Sequence, residues 1–445
     1  MAEPRADPRG APPAGVRAFC EVRLFGETMG AVAELDSGRI LFEYADSFRG
    51  GGREPSPLRL STTRRGPIAF DELLAQPAFA GLPGVLADAL PDRFGNQVIR
   101  AWFAARGAAE RALSPVQRLL YVGERAIGAL SFHPATEFPL RAAEQEPLEL
   151  AALVRDARRV IEGDPQIAIP EIYRVGASAG GMRPKALVLF DPPSRTIRSG
   201  HASPRAGERA CLLKFDGAGD GATPDALGRP RPFHRVEAAW TAMARAAGVA
   251  AAEVELLEDG EFAHLLVTRF DRERAGDLAS PPLHQHTLGG LLHVDYNFPG
   301  GASYEEYLRT ILALGMPYAA VEQGYRRLLF NVLAVNQDDH VKNLSFHMDR
   351  AGAWRLAPAY DLTFARGGGF TARHQMRVAD KLDGITTADL LALGDVFSLN
   401  SPRKLLAQAR DAVARMEEFA ATFAVPHDLQ RELRTQLNRR AEELG

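Results

Sequence analysis

The period of the hydrophobic pattern changes along this chain, and that change limits what it can fold into. Between about residues 172 and 271 the apolar residues form short runs of strand character around one helical segment at 235–248. From residue 303 onward they recur at helical spacing, interrupted only by a loop and short strands between 337 and 378. Strands followed by helices imply two lobes with a cleft between them, the usual location of a nucleotide site. At 445 residues the chain is too long for one ordinary core and suits two or three domains.

Another strand-rich unit precedes the lobes. The segments at 18–26, 30–35 and 39–44 alternate or run apolar with Gly and Asp between them, as short antiparallel strands do. Residues 50–66 are rich in Gly, Pro and Arg and form a loop. Helical spacing follows at 81–107, where Pro91 divides it into two short helices. A helix near 114–121 and a strand at 126–134 close the unit, and 135–147 is a linker. The sequence thus predicts a disordered tail at 1–16, an N-terminal subdomain at 17–140, a strand-rich lobe at 148–271 and a helical lobe at 272–445. A helix at 401–420, N-capped by Ser401, is expected to pack on the last of these.

Composition excludes several classes of function. With 46% hydrophobic and 24% charged residues the chain has the make-up of a soluble globular protein. A formal charge of −3 and a pI near 6.4 argue against broad nucleic-acid binding. Cys20 and Cys211 are too few for a disulfide framework, which points to a reduced, cytoplasmic setting. The first eighteen residues lack the apolar stretch of a signal peptide, and no segment is apolar enough to span a membrane. Lysine occurs only at 185, 214, 342, 381 and 404, while arginine supplies the rest of the 53 basic residues. Lysine is expected where a compact ammonium is needed and a guanidinium fork will not serve.

Phosphoryl transfer needs a phosphate cradle, a cation, oxygens for a metal, and a carboxylate for the attacking hydroxyl. A candidate for each occurs in chain order. Gly176-Ala177-Ser178-Ala179-Gly180-Gly181, followed by Met182-Arg183-Pro184-Lys185, is small enough for backbone N–H groups to approach an anion. Lys214 sits within the apolar strand 211–215, where an ammonium requires a counter-charge or a ligand, and Glu237 on the following helix is its candidate partner. The run Asn336-Gln337-Asp338-Asp339-His340-Val341-Lys342-Asn343 follows an apolar helix and repeats the five-residue Asp-to-Asn step of a kinase catalytic loop. Asp338 can accept a hydroxyl proton there, and Asn343 can offer a carbonyl oxygen to a metal. His340 and Lys342 are expected near the nucleotide, and Asp339 is a second candidate base, one residue short in spacing. Asp361, 18 positions past Asn343, would complete an oxygen set for a hard cation.

Taken together these segments resemble the HipA family of bacterial serine/threonine kinases. The likeness rests on 176–181 with Lys185, LLKFD at 212–216, VTRFDR at 267–272, NQDDHVKN at 336–343 and APAYDL at 357–362. It extends to GRILFEYADSF at 38–48 and LPGVLADALPDRFGNQVI at 82–99, so it covers nearly all of the chain after residue 17. The resemblance implies an α+β, bilobal, protein-kinase-like fold with a β-rich N-terminal subdomain and a mostly helical C-terminal lobe. It implies ATP and Mg²⁺ as cofactors, Asp338 as base, Asn343 and Asp361 as metal ligands, and Lys214 as the phosphate-binding lysine. It makes 176–185 a mobile phosphate loop and Ser178 the site of self-inactivating autophosphorylation, where added charge would repel ATP. It implies, finally, the toxin of a toxin–antitoxin pair. The protein substrate would belong to translation, such as an aminoacyl-tRNA synthetase, and a small DNA-binding antitoxin of HipB type would hold the chain, with DNA touched only indirectly. Arg183-Pro184 departs from the Gln-Glu of better-known members and bears on how the loop moves.

Two weaker features and two competing readings accompany this one. Thr268-Arg269-Phe270-Asp271 falls where the lobes join; its backbone can bind adenine or belong to an ordinary strand. His284 and His286 lack a neighbouring Cys or carboxylate cluster and are expected in a loop rather than at a metal. A small-molecule or lipid kinase also fits Asp338-x-His340-x-x-Asn343. A catalytically silent antitoxin-binding scaffold is the third reading, against which the intact Lys214, Asp338, Asn343 and Asp361 argue.

Overall fold

The computed structural model describes residues 14–91, 93–104, 113–135, 147–148, 150, 152–154, 157, 184–217 and 230–445. Residues 1–13 of the expected tail, together with Ser178, Ala179, Gly180, Gly181 and Arg183, lie outside the described residues, and β1 already begins at Val16.

The first sheet runs β4-β3-β2-β1-β5 and is antiparallel throughout. Its strands are β1 (Val16–Leu24), β2 (Glu27–Leu35), β3 (Ile40–Tyr44), β4 (Ile68–Ala69) and β5 (Leu130–His133). β1 turns into β2 over Phe25 and Gly26, both at positive φ, the backbone a tight hairpin of the matching twist requires. Cys20, Val22 and Leu24 alternate inward on β1. Of the short helices that follow, α1 (Asp46–Arg49), α2 (Gly84–Ala87) and α4 (Pro115–Val122), the last opened by a Ser114–Gln117 capping box, cover that apolar face, whereas α3 (Arg93–Ala104) sends Phe94, Val98 and Ile99 into a separate core with Ala186, Val188 and Leu213. Helix breaks at Asp88–Pro91, as the proline predicts.

The second sheet runs β7-β6-β8-β10-β9, built from β6 (Lys185–Asp191), β7 (Thr196–Ser199), β8 (Arg209–Lys214), β9 (Val254–Asp259) and β10 (Phe262–Thr268). Helix α5 (Phe233–Ala246) packs against it. β10 ends at Thr268 rather than continuing to Asp271, because Arg269 and Asp271 turn toward each other in a buried ion pair. A third sheet joins β11 (His284–Thr287), β12 (Ser345–Met348) and β13 (Trp354–Leu356). His284 and His286 are therefore buried strand residues and not loop residues as the sequence suggested.

The rest is helical: α6 (Leu288–Leu292), α7 (Tyr304–Ala313), α8 (Tyr318–Leu333), α9 (Thr387–Val396), α10 (Pro402–Ala414), α11 (Met416–Thr422) and α12 (His427–Leu444). The expected helix at 401–420 breaks at Arg415 into α10 and α11, and the Ser401 side chain makes no capping hydrogen bond. One large core unites this lobe with α5. Trp240 is fully buried there and donates from Nε1 to the Ala334 carbonyl at 2.9 Å, tying α5 to the end of α8 just before the catalytic-loop candidate. Among the described residues no helix is long and apolar enough to cross a membrane.

The N-terminal unit meets the helical lobe through two glycines. A Cβ placed on Gly84 would lie 2.0 Å from the Gly290 carbonyl oxygen, so α2 and α6 touch backbone to backbone. Gly84→Ala is expected to cost about 1–3 kcal/mol of stability by overpacking, read as a lowered urea midpoint with an unchanged slope.

Candidate active site

Lys214 ends β8 with its side chain 9% exposed. Its Nζ donates to Glu237 Oε1 at 2.6 Å and to Asp361 Oδ1. Burial alone would lower the lysine pKa, but the Asp361 and Glu237 carboxylates outweigh it and raise it above its ordinary value. Lys185, also buried, stands directly opposite Lys214 in the β6–β8 register. Like charges directly opposite on one sheet face repel unless an anion lies between them. Asp361 supplies one: burial works to raise its pKa, but Lys214 and then Lys185 hold its carboxyl below the usual range. The same two ammoniums are suitably placed for phosphate oxygens.

Asp361 sits at φ +53, a left-handed conformation that Asp tolerates better than most residues but that still must be held in place. Two contacts hold it. Asn336 Nδ2 reaches the Asp361 carbonyl at 3.5 Å, and the neighbouring Tyr360 hydroxyl donates to the Lys342 carbonyl at 2.7 Å while lying 2.6 Å from Ser345 Oγ. The Asp361 segment and the 336–343 run are thus interlocked.

Within that run the two adjacent aspartates have opposite surroundings. Asp338 is 42% exposed, with His340 Nε2 at 3.9 Å. Asp339 is fully buried and accepts from Tyr304 Oη at 2.9 Å, His374 Nδ1 at 2.9 Å and the Gln375 amide at 2.7 Å. Buried and holding three donors, it has the surroundings of a structural anchor, whereas Asp338 is the aspartate open to solvent. Asn343 spends its Nδ2 on the Asp338 carbonyl at 3.0 Å, which leaves its Oδ1 as the outward group. That amide oxygen and the second carboxylate oxygen of Asp361 are the donors a Mg²⁺-sized hard cation takes, so these residues fit such an ion.

Other predicted residues are placed less simply. The Lys342 ammonium lies over the Tyr296 ring, 5.2 Å from its centroid, while its carbonyl serves Tyr360. His340 packs between Tyr296 and Phe370, at 5.4 and 6.3 Å, with its Nδ1 buried and unbonded. Phe270 stacks on Tyr360 at 5.5 Å, beside Asp361. The Arg269 amide and carbonyl are taken by Ala210 and Gly276, so that residue's backbone is already occupied. Among the described residues no cluster of three or more His, Cys, Asp and Glu is arranged to hold a metal ion. Sequence reasoning missed Tyr304, Asn331, His374 and Gln375. Tyr304, His374 and Gln375 are remote in sequence from the loop they fix, while Asn331 stands five residues before Asn336 inside an apolar helix; nothing in the local pattern marks any of them.

The fold class follows from comparison with solved structures. The HipA chain in the complex of Shewanella oneidensis HipA, HipB and operator DNA superposes with a TM-score of 0.67 over 96% of this chain and 97% of that one, at 19% identity. This is the HipA kinase fold. Residues 20–133 match the HipA N-terminal domain and residues 177–424 the HipA-like C-terminal domain, and the chain belongs to the HipA family. It is similar to a Sinorhizobium fredii protein named "Putative kinase Y4mE", 27% identical over 351 residues, which is 76% of this chain and 75% of that protein. A Haemophilus influenzae protein of the same kinase designation is 32% identical over 109 residues, 23% of this chain and 30% of its own length.

Burial lowers the His340 pKa from 6.5 to about 4, against the opposing pull of Asp361. Between those values the unfolded chain binds a proton there that the folded chain does not, so stability falls as pH falls through this window. The His340→Gln variant is expected to lose about 2 kcal/mol less than the parent between pH 7 and pH 5. Urea titrations at the two pH values measure the difference.

Proposed function

We propose that this chain is an ATP- and Mg²⁺-dependent serine/threonine protein kinase acting as a HipA-type toxin. The observation that carries the proposal is the placement of Lys214 between Glu237 and Asp361, next to a loop whose one exposed aspartate is Asp338. In this reading Lys214 and Lys185 hold phosphate oxygens of the nucleotide, with Glu237 orienting Lys214. Asp338 takes the proton of the acceptor hydroxyl, and the adjacent neutral His340 leaves that carboxylate ionised without a competing cation. Asn343 Oδ1 and Asp361 are the ligands for Mg²⁺, which when bound neutralises charge on the phosphates. Lys342, His340 and Phe270 border the nucleotide space.

The finer assignments rest on family membership. The acceptor is a serine or threonine of a translation component, with an aminoacyl-tRNA synthetase as the leading class. Ser178, with Ala179, Gly180 and Gly181, forms the phosphate loop, and autophosphorylation at Ser178 silences the enzyme. A small DNA-binding antitoxin of HipB type is the partner, and DNA is contacted only through it; the solved relative carrying HipB and operator DNA supports this. A cytoplasmic setting agrees with two buried, unpaired cysteines. The tail ends near residue 16, and the functional divisions are 17–140, 148–271 and 272–445. A small-molecule or lipid kinase remains the second reading, favoured by His340 following Asp338 at a two-residue step.

Transfer of labelled phosphate from Mg-ATP is expected for the native chain, with Asp338→Asn reducing it by about 10²-fold or more. Peptide mapping should find label at Ser178. Label on a metabolite or lipid extract and none on protein would favour the second reading. Absence of ATP binding would remove the kinase proposal altogether.

A further inference from the structure

Asp88 closes α2 in the N-terminal unit, far in sequence from the catalytic loop, yet its carboxylate reaches into the helical lobe. Its Oδ2 lies 2.6 Å from His286 Nδ1 and accepts from the Thr287 amide at 2.7 Å, while Oδ1 accepts from Thr287 Oγ1 at 2.7 Å. Because an ionised carboxylate only accepts, His286 carries a proton on Nδ1, and its Nε2 lies 3.1 Å from Ser56 Oγ, within hydrogen-bond distance. The order Ser56–His286–Asp88 is that of a hydrolytic triad. Here Ser56 and His286 are both 0% exposed, so no substrate can reach the hydroxyl. The arrangement is a clamp.

What it clamps is the support of the catalytic loop. Thr287 pairs with Ser345 in the β11–β12 register and caps α6 by accepting from the Gly290 amide at 3.0 Å. α6 in turn presses on the loop: the Leu288 amide donates to the Leu344 carbonyl at 2.7 Å, and a Cβ on Gly289 would meet Val341 Cγ2 at 2.9 Å. Beyond Ser345 the path continues through the hydroxyl of Tyr360, the residue before Asp361, to the Lys342 carbonyl. The N-terminal unit also grips the segment just after α6. The Gly84 amide donates to His293 Nε2 at 3.1 Å, the Ala78 amide to Asp295 Oδ2 at 3.1 Å, and Arg59 Nε to the Leu292 carbonyl at 3.1 Å.

We propose that Asp88 is a positioning residue for phosphoryl transfer, through which the N-terminal unit sets the placement of the 338–343 loop and Asp361. The proposal rests on the kinase reading above. Without Asp88, three donors at the β11–α6 junction lose their acceptor, and the junction moves to find others. Lys185 and Lys214 belong to the other sheet, and Lys214 keeps its Glu237 partner when Asp361 shifts, so the larger effect falls on the reacting groups rather than on nucleotide affinity.

The test uses the full-length chain with Asp88→Ala, Tyr360→Phe and the double variant, assayed well below the unfolding temperature. Asp88→Ala is expected to lower kcat about tenfold or more with the KM for ATP within about threefold. The double variant should be no more than about twofold slower than the slower single one, because both changes break one path. Hydrogen exchange should quicken in peptides covering 336–346 and stay unchanged in β8. An unchanged kcat, multiplicative effects in the double variant, or exchange raised equally everywhere would overturn the proposal. Should Asp88→Ala not fold, Asp88→Asn, which keeps the volume, takes its place in each measurement. If the native chain transfers no phosphate, the kinase reading fails and the exchange pattern alone decides whether Asp88 places the loop.

Discussion

Three elements distant in sequence converge on one ammonium. Lys214 comes from β8, Glu237 from α5 and Asp361 from the turn after β13, and the two carboxylates meet the same Nζ in a largely buried setting. Burying one charge without a partner costs several kcal/mol, so each member is tolerated only while the others are present. With Lys185 opposite Lys214 the group holds two positive and two negative charges. Such a balanced set keeps the strand-rich lobe, α5 and the helical lobe in one relative position. On the proposed kinase reading, phosphate groups entering beside it would bring further negative charge, which a divalent cation held by Asn343 and Asp361 would offset.

The catalytic-loop candidate obtains its rigidity from the neighbour of its exposed aspartate. Asp339 is anchored by α7 through Tyr304 and by the 374–375 segment through His374 and Gln375, while Asn331 on α8 donates to Tyr304 Oη and accepts from Asn336 Nδ2. Apart from Asn336 Oδ1 and Gln375 Oε1, which find no partner, the side-chain contacts named here join one another and the backbone into a single buried network that favours one arrangement. Asp338 is then presented outward on a backbone that its neighbour holds still.

The legible parts of the site were those whose chemistry is visible in local sequence. A lysine inside an apolar strand must have a counter-ion, and an Asp-x4-Asn step after an apolar helix needs no tertiary information to be noticed; Lys214, Asp338, Asn343 and Asp361 came from such signals. The sheet of the N-terminal unit was equally legible, since alternation over 18–44 fixes both strand and face. What could not be read were contacts made across the fold. His286 looked like an idle loop residue because its partner, Asp88, lies 198 positions away. Asp339 looked like a rival base because burial, which distinguishes it from Asp338, is not a local property. The 401–420 segment has unbroken helical periodicity, yet a turn at Arg415 lets α10 and α11 each pack on α5, a demand of the core that periodicity does not encode.

The distribution of lysine gains its meaning from this geometry. Lys381, by contrast with the site lysines, pairs with Asp389 at a surface position 43% exposed, where an arginine would serve as well. Lys214 could not be replaced so easily. An ammonium carries three donors on one atom pointing in three directions, and two of them are engaged by Glu237 and Asp361. A guanidinium spreads its donors in one plane over three nitrogens and would satisfy a single carboxylate well, at the expense of the other. In a chain that otherwise uses arginine almost throughout, a point charge at this position is what allows two carboxylates from different elements to share one cation.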